Sequence, residues 1–337
     1  MPKVSICIPA YMQVAYLKEC LLSISEQTIK DYELIISDDS PDDSVYNLIK
    51  QFDFGGRLKY FKNSSPLGSP KNWNFAIQHA TSDLIKLMHH DDSFSSPQSL
   101  EKFISLMDEN PTANFGFSAS KVKNVTNNKS WIHTASERQV AQIQTNPELL
   151  ILGNLIGSPS STIYRRNINI EYDNKLKWLV DIDFYIRVIQ QGNKIVNTQE
   201  AFITTPTNAS HQVTEECINN CQLELYEYTT LYLKNQDQVS GNTSINNHLL
   251  GILAKYRIFN KKALHLEPYF TSQQIDVLEQ LLVRFKNQPI IKFIYYVYWW
   301  QNGPLFLIKI IRFLIHQAYS LLSLIRLLYN PKNYKNQ

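Results

Sequence analysis

Between Val4 and about Ser120 the chain alternates short, largely apolar, β-rich runs with stretches of helical period. That alternation restricts it to a sheet with crossover helices. The runs fall at residues 4–8, 32–37, 58–61, 84–88 and 114–118. Between them Leu17, Leu21, Leu22 and Ile24 recur at helical spacing, and residues 45–52, 73–79 and 100–107 carry the same period. Largely apolar, non-alternating strands imply burial on both faces, so the expected class is α/β with a mostly parallel central sheet. With 337 residues, 44% of them hydrophobic, the chain can bury one large core plus a smaller attached unit.

In such a sheet ligands collect outside the carboxyl ends of the strands. Those ends read Pro9-Ala10-Tyr11, Asp38-Asp39-Ser40 and His89-His90-Asp91-Asp92. Adjacent carboxylates at Asp91 and Asp92 repel unless a cation or a donor-rich ligand offsets them, and Mg²⁺ or Mn²⁺ takes oxygen ligands of this kind. The same residues also suit an exposed turn that caps a helix. Asp38 and Asp39 have the same two readings: a turn, or a carboxylate accepting hydrogen bonds from a base or ribose. Tyr11 offers a flat face for stacking or for ordinary packing. No GxGxxG turn follows the first strand, which argues against a dehydrogenase, and no glycine-rich phosphate turn supports a nucleotidyltransferase.

The four cysteines, Cys7, Cys20, Cys217 and Cys221, have neither disulfide-framework nor zinc spacing and read as reduced packing residues. No secretion signal precedes the first strand, so a cytoplasmic catalytic domain is expected.

The segments VSICIPAY (4–11), SEQT (25–28), YELIISDDS (32–40) and HDD (90–92) resemble glycosyltransferase family 2, the inverting enzymes of the GT-A fold, as found in bacterial surface-polysaccharide synthesis such as O-antigen or capsule. The resemblance covers about the first 210 residues, in order. It implies a nucleotide-sugar donor across the first strand end, with Pro9, Tyr11, Asp39 and Asp91 touching base, ribose or sugar and Asp92 holding Mn²⁺ or Mg²⁺. WLVDIDFYIR (178–187) resembles the family's acidic stretch, which makes Asp181 the general base and Asp183 its alternate. Both also suit a helix N-terminus. His211, in NASHQVT, stands where related enzymes carry a histidine near the diphosphate, as a metal or phosphate contact, with a surface-loop histidine as the other reading. Trp73 before Asn74 replaces an arginine common in relatives, which leaves Lys71 as a phosphate contact. The chain has no QxxRW run, so one sugar per encounter is expected, most commonly from a UDP donor.

Charge is uneven along the chain. Eight Lys and Arg follow the last acidic residue, Glu279, whereas the preceding part carries 25 basic against 30 acidic residues. Lys309, Arg312, His316, Ser320, Ser323 and Arg326 form one polar stripe on an otherwise apolar helical pattern, interrupted too often by charge to span a bilayer. With Tyr295, Tyr296, Tyr298, Trp299 and Trp300 beside it, the pattern suits a helix lying in an anionic membrane surface; a soluble-bundle helix or dimer contact is the other reading. The expected organisation is a GT-A catalytic domain at 1–212, a helical accessory region at 213–284 and basic membrane-associating helices at 285–337. The expected partners are a nucleotide-sugar, a lipid-linked or surface glycan acceptor, the cytoplasmic face of the inner membrane as a peripheral surface, and a second copy through the C-terminal helices, with no nucleic acid. A catalytically silent sugar-nucleotide-binding or scaffolding subunit is the competing class, and Asp181 is the residue such a module would not need.

Overall fold

The computed structural model describes residues 1–209, 212–261, 264 and 270–287. His211 and the basic helices expected beyond residue 287 lie outside them. The first half alternates strand and helix as the sequence pattern requires. It runs β1 (Val4–Ala10), α1 (Val14–Ser25), β2 (Tyr32–Asp38), α2 (Ser44–Ile49), β3 (Leu58–Lys62), α3 (Lys71–Gln78) and β4 (Leu84–Leu87). Every residue of β1, β2 and β4 is buried, whereas the edge strand β3 is only partly covered. α1 packs its Leu17, Cys20, Leu21 and Ile24 stripe into the same core, while Leu22 is 42% exposed and lies off that stripe.

Downstream lie β5 (Ser93–Phe94), α4 (Ser99–Asp108), β6 (Ala113–Asn124), β7 (Ser130–His133), α5 (Glu137–Thr145), β8 (Thr162–Arg165), α6 (Val180–Gln190) and β9 (Lys194–Thr207). The sheet order is β3-β2-β1-β4-β8-β6-β9-β5, with β7 paired to β6. β3, β2, β1 and β4 are mutually parallel, and β6 and β9 form a long parallel ladder, so most of the paired length is parallel. The antiparallel insertions are β8, β5 and β7. Their runs of two to four residues are too short to show a period in sequence, and β9 begins well before the apolar segment that marks it.

Parallel pairing in register puts the carboxyl ends of β1, β2 and β4 on one edge: Ala10 stands beside Asp38, and Cys7 beside Leu87. The polar clusters of the sequence therefore emerge side by side. Helices α7 (Val213–Cys217), α8 (Cys221–Lys234) and α9 (Gln236–Val239) belong to the first compact unit, Met1–Ile245. The second unit starts at Asn246; α10 (Thr243–Lys255) and α11 (Ser272–Asn287) bury apolar stripes that include Leu249, Leu253, Leu278 and Leu281. Among the described residues no helix is long and apolar enough to cross a membrane.

Candidate active site

The β1–α1 turn is the first wall of the site. Met12 and Gln13 adopt left-handed backbone at φ 53° and 43°, a conformation that non-glycine residues rarely hold without outside support. Support comes from Ser40, whose Oγ accepts the Met12 N–H at 2.7 Å. The turn leaves Tyr11 48% exposed, while Pro9 stays buried within β1 and turns its carbonyl to His90 Nδ1 at 3.3 Å.

The two aspartates after β2 do different jobs. Asp38 is wholly buried and held by Tyr60 Oη, Lys62 Nζ and the Ser40 N–H, so it braces the strand end. Asp39 accepts the N–H groups of Leu67 at 3.0 Å and Gly68 at 2.8 Å and the Asn63 amide at 2.7 Å, which ties the β3–α3 loop against the site. Its Oδ2 takes one of these donors and Oδ1 the other two, so Oδ2 keeps acceptor capacity. Asn72, at the start of α3, donates to the carbonyls of Ala10 and Ser37 and thereby stitches β1 and β2 together. Lys71 beside it is exposed.

After β4 the chain places His89, Asp91 and Asp92 so that one ligand atom from each lies within 4.8 Å of the others. Asp92 is 2% exposed, and among the described residues its Oδ1 is buried without a hydrogen-bond partner, while Oδ2 takes a long 3.3 Å bond from Ser158 Oγ. Burial, then the neighbouring Asp91 carboxylate, raise its affinity for a proton; the Ser160 and Thr205 hydroxyls and Lys86 pull the other way. Burial also pulls His89 down to about 4, so its imidazole is neutral at pH 7, and its Nε2 has no partner. A buried carboxylate oxygen and a neutral imidazole nitrogen, both unsatisfied and both beside a second carboxylate, are the donor set a hard or borderline divalent cation takes. Beneath them Lys86 is wholly buried in β4 and donates to the Ser160 carbonyl, with burial lowering it to about 7 against the pull of Asp92.

The third carboxylate arrives from α6. Asp181 Oδ2 accepts the Asn154 amide at 2.7 Å, and its Oδ1 accepts the Ile182 N–H at 2.8 Å. Asn154 also closes a tight turn, donating to the Gly157 carbonyl and accepting the N–H groups of Ile156 and Gly157. Ser158, the next residue of that turn, is the one that reaches Asp92. One turn, 154–158, thus bonds to both Asp92 and Asp181, and the Tyr185 hydroxyl, bonded to the Gly157 carbonyl, feels both charges. Burial raises Asp181 to about 7, and Glu227 adds to the rise while the Ile182 N–H and Asn154 oppose it. A carboxylate poised there can take a proton at neutral pH.

A sequence profile for glycosyl transferase family 2 matches residues 5–173, half of the chain, and takes in the strand ends and the 154–158 turn just described but not Asp181. The chain belongs to glycosyl transferase family 2. It is 28% identical over 205 residues to an uncharacterized protein of Mycobacterium tuberculosis, a match covering 56% of this chain and 62% of that one, so it spans less than two thirds of that relative. It is 34% identical over 101 residues to a GalNAc(5)-diNAcBac-PP-undecaprenol beta-1,3-glucosyltransferase of Campylobacter jejuni, covering 28% of this chain and 32% of that one. Among solved structures it resembles S. aureus TarS 1-349 in complex with UDP-GlcNAc (TM-score 0.58, 19% identity, 83% of this chain and 80% of that). It also resembles the mannosyltransferase PcManGT of Pyrobaculum calidifontis in complex with GDP-Man and Mn²⁺ (TM-score 0.54, 13% identity, 98% and 88%). The fold is GT-A, as the sequence motifs implied.

Within this family frame the residues named from sequence divide clearly. Tyr11, Asp39, Asp91 and Asp92 follow the carboxyl ends of β1, β2 and β4, Lys71 opens α3, and Asp181 and Asp92 each bond to the 154–158 turn. Asp183, the alternate base, is bound on both oxygens: Arg187 takes Oδ2 and Lys234 takes Oδ1 at 2.7 Å. It is a fastening between α6 and α8. Asp183→Asn is expected to lower unfolding stability by about 2–3 kcal/mol in urea titration, less than a fully buried pair because both cations are about a third exposed. Donor affinity should stay within twofold.

Sequence reasoning passed over His89 and Asn154. His89 was legible as part of the His-His-Asp-Asp run, but the metal role was placed on Asp92 and His211. Asn154 carries no local signal, since its value lies in a turn that only tertiary packing brings to Asp181. Trp73, the departure from the arginine of relatives, packs its ring 4.6 Å from His89 and 5.2 Å from Tyr172. The neighbouring Asn74 exchanges hydrogen bonds with the Tyr172 backbone.

Proposed function

We propose that the protein transfers one sugar, with inversion, from a nucleotide-sugar to a hydroxyl of a lipid-linked or surface glycan. The observation that carries this reading is the 154–158 turn, which hydrogen-bonds to both aspartates, to Asp181 through Asn154 and to Asp92 through Ser158. Tyr11 and Asp39 would bracket the base and Asp91 the ribose or sugar, with Lys71 near the phosphates. Asp92, Asp91 and His89 would hold Mn²⁺ or Mg²⁺, and His211 remains a further ligand in this proposal. When bound, such a cation offsets the charge that builds on a departing diphosphate.

Asp181 does the proton chemistry. Its carboxylate accepts the acceptor's hydroxyl proton while that oxygen forms a bond to the anomeric carbon. The bond from that carbon to the diphosphate oxygen breaks, and the electron pair leaves with the nucleotide. One in-line displacement inverts the anomeric centre. A UDP donor is supported by the TarS complex, and a lipid-linked acceptor by the Campylobacter enzyme. The basic, aromatic-rich sequence beyond residue 287 supports peripheral attachment at the inner face of the membrane and a contact between two copies.

Incubating the full chain with Mn²⁺ and a panel of UDP-, GDP- and dTDP-sugars is the direct test. One donor should raise the melting temperature by several degrees and be slowly hydrolysed or transferred. Stabilisation by a donor with no turnover in the presence of any lipid-linked acceptor would favour the silent binding subunit instead.

A further inference from the structure

Glu227 lies in the middle of α8, is fully buried, and belongs to no motif of the sequence. Its Oε1 accepts the N–H groups of Lys177 at 2.6 Å and Trp178 at 3.2 Å, and its Oε2 those of Trp178 at 2.9 Å and Leu179 at 2.6 Å. These three amides lead into α6, where a helix cannot satisfy them internally. Leu179, at the N-cap position, has no side-chain acceptor to offer. A carboxylate 48 residues away therefore closes the start of the helix that carries Asp181 on its second residue.

We propose that Glu227 is a positioning residue for the acceptor-activating carboxylate: anchored to the entry of α6, it sets where Asp181 points and keeps a negative charge beside it. This rests on the reading of Asp181 as the base. The groups that face Asp181 are Glu227 and Tyr228 from α8, Tyr172 ahead of α6 and Tyr185 on α6 itself. Lys177, ion-paired with Glu216, faces Glu227. Burial holds Asp181 up near 7 and the Glu227 charge adds to that, so neutralising Glu227 moves the titration of Asp181 to lower pH.

The full chain is assayed for transfer against pH. Glu227→Gln should shift the acid limb down by about half a pH unit or more and cut plateau kcat about tenfold, with donor KM unchanged. Glu227→Asp keeps the charge but draws it back by one methylene, so kcat should fall while the limb stays in place. If both variants keep the wild-type limb and plateau, the proposal is overturned. Deuterium exchange on the unmodified protein needs no variant to fold: the amides of 177–179 should exchange slowly, and exchange as fast as open-loop amides overturns the proposal equally. Asp181→Asn is run alongside. If it loses transfer while Glu227→Gln behaves as wild type, only the role of Glu227 falls; if it transfers normally, the base assignment fails and takes this proposal with it.

Discussion

Asp92→Asn is expected to lower kcat/KM for sugar transfer by on the order of 10³, about 4 kcal/mol of transition-state stabilisation, while the protein keeps its fold. The side chain keeps nearly the same shape, and Ser158 can still bond to it, so packing is preserved. What disappears is the negative oxygen, now buried and unpartnered, that a cation would take. The same variant should lose tight Mn²⁺ binding in calorimetry, with His89→Ala weakening it by about 10- to 100-fold. Wild-type turnover in Asp92→Asn, or undiminished turnover after exhaustive chelation, would remove the metal role from this site.

Asp181→Asn should retain donor binding and lose about 10²- to 10⁴-fold in kcat, the range a positioned general base contributes. The pH profile of the unmodified protein supplies the sign. A base works in its carboxylate form, and burial raises Asp181 to about 7, so kcat/KM should fall tenfold per unit as pH drops below about 7 and level off above it. In the asparagine variant the residual rate should lose that limb. A wild-type profile flat from about pH 5.5 to 8.5 would contradict an Asp181 base, because a raised carboxylate must titrate inside that window.

Much of this arrangement was legible without coordinates. Largely apolar, non-alternating runs at 4–8, 32–37 and 84–88 announced strands buried on both faces, since a sheet covered on both sides keeps such runs out of water. Polar clusters directly after those runs then had to open at a common edge once the strands paired in parallel. β8, β5 and β7 were not legible, because two to four residues carry no period, and their antiparallel pairing is chosen by neighbours distant in sequence.

The site divides along the same line. Local patterns marked the aspartate pairs at the strand ends and at the start of α6, and the family resemblance singled out Asp39, Asp91, Asp92 and Asp181 among them. Local sequence did not show what the other aspartate of each pair is bound to. Asp38 is bound by Tyr60 and Lys62, and Asp183 by Arg187 and Lys234. Those partners come from other strands and helices, and hydrogen bonds and ion pairs act over a few ångströms of space without regard to separation along the chain. By itself the sequence therefore determined the class of fold, the strand edge where the polar clusters gather and the kinds of groups placed there. Tertiary structure decided, through Asn154, Ser158 and Glu227, which partners those groups and the start of α6 receive, because such contacts depend on distance in space and not along the chain.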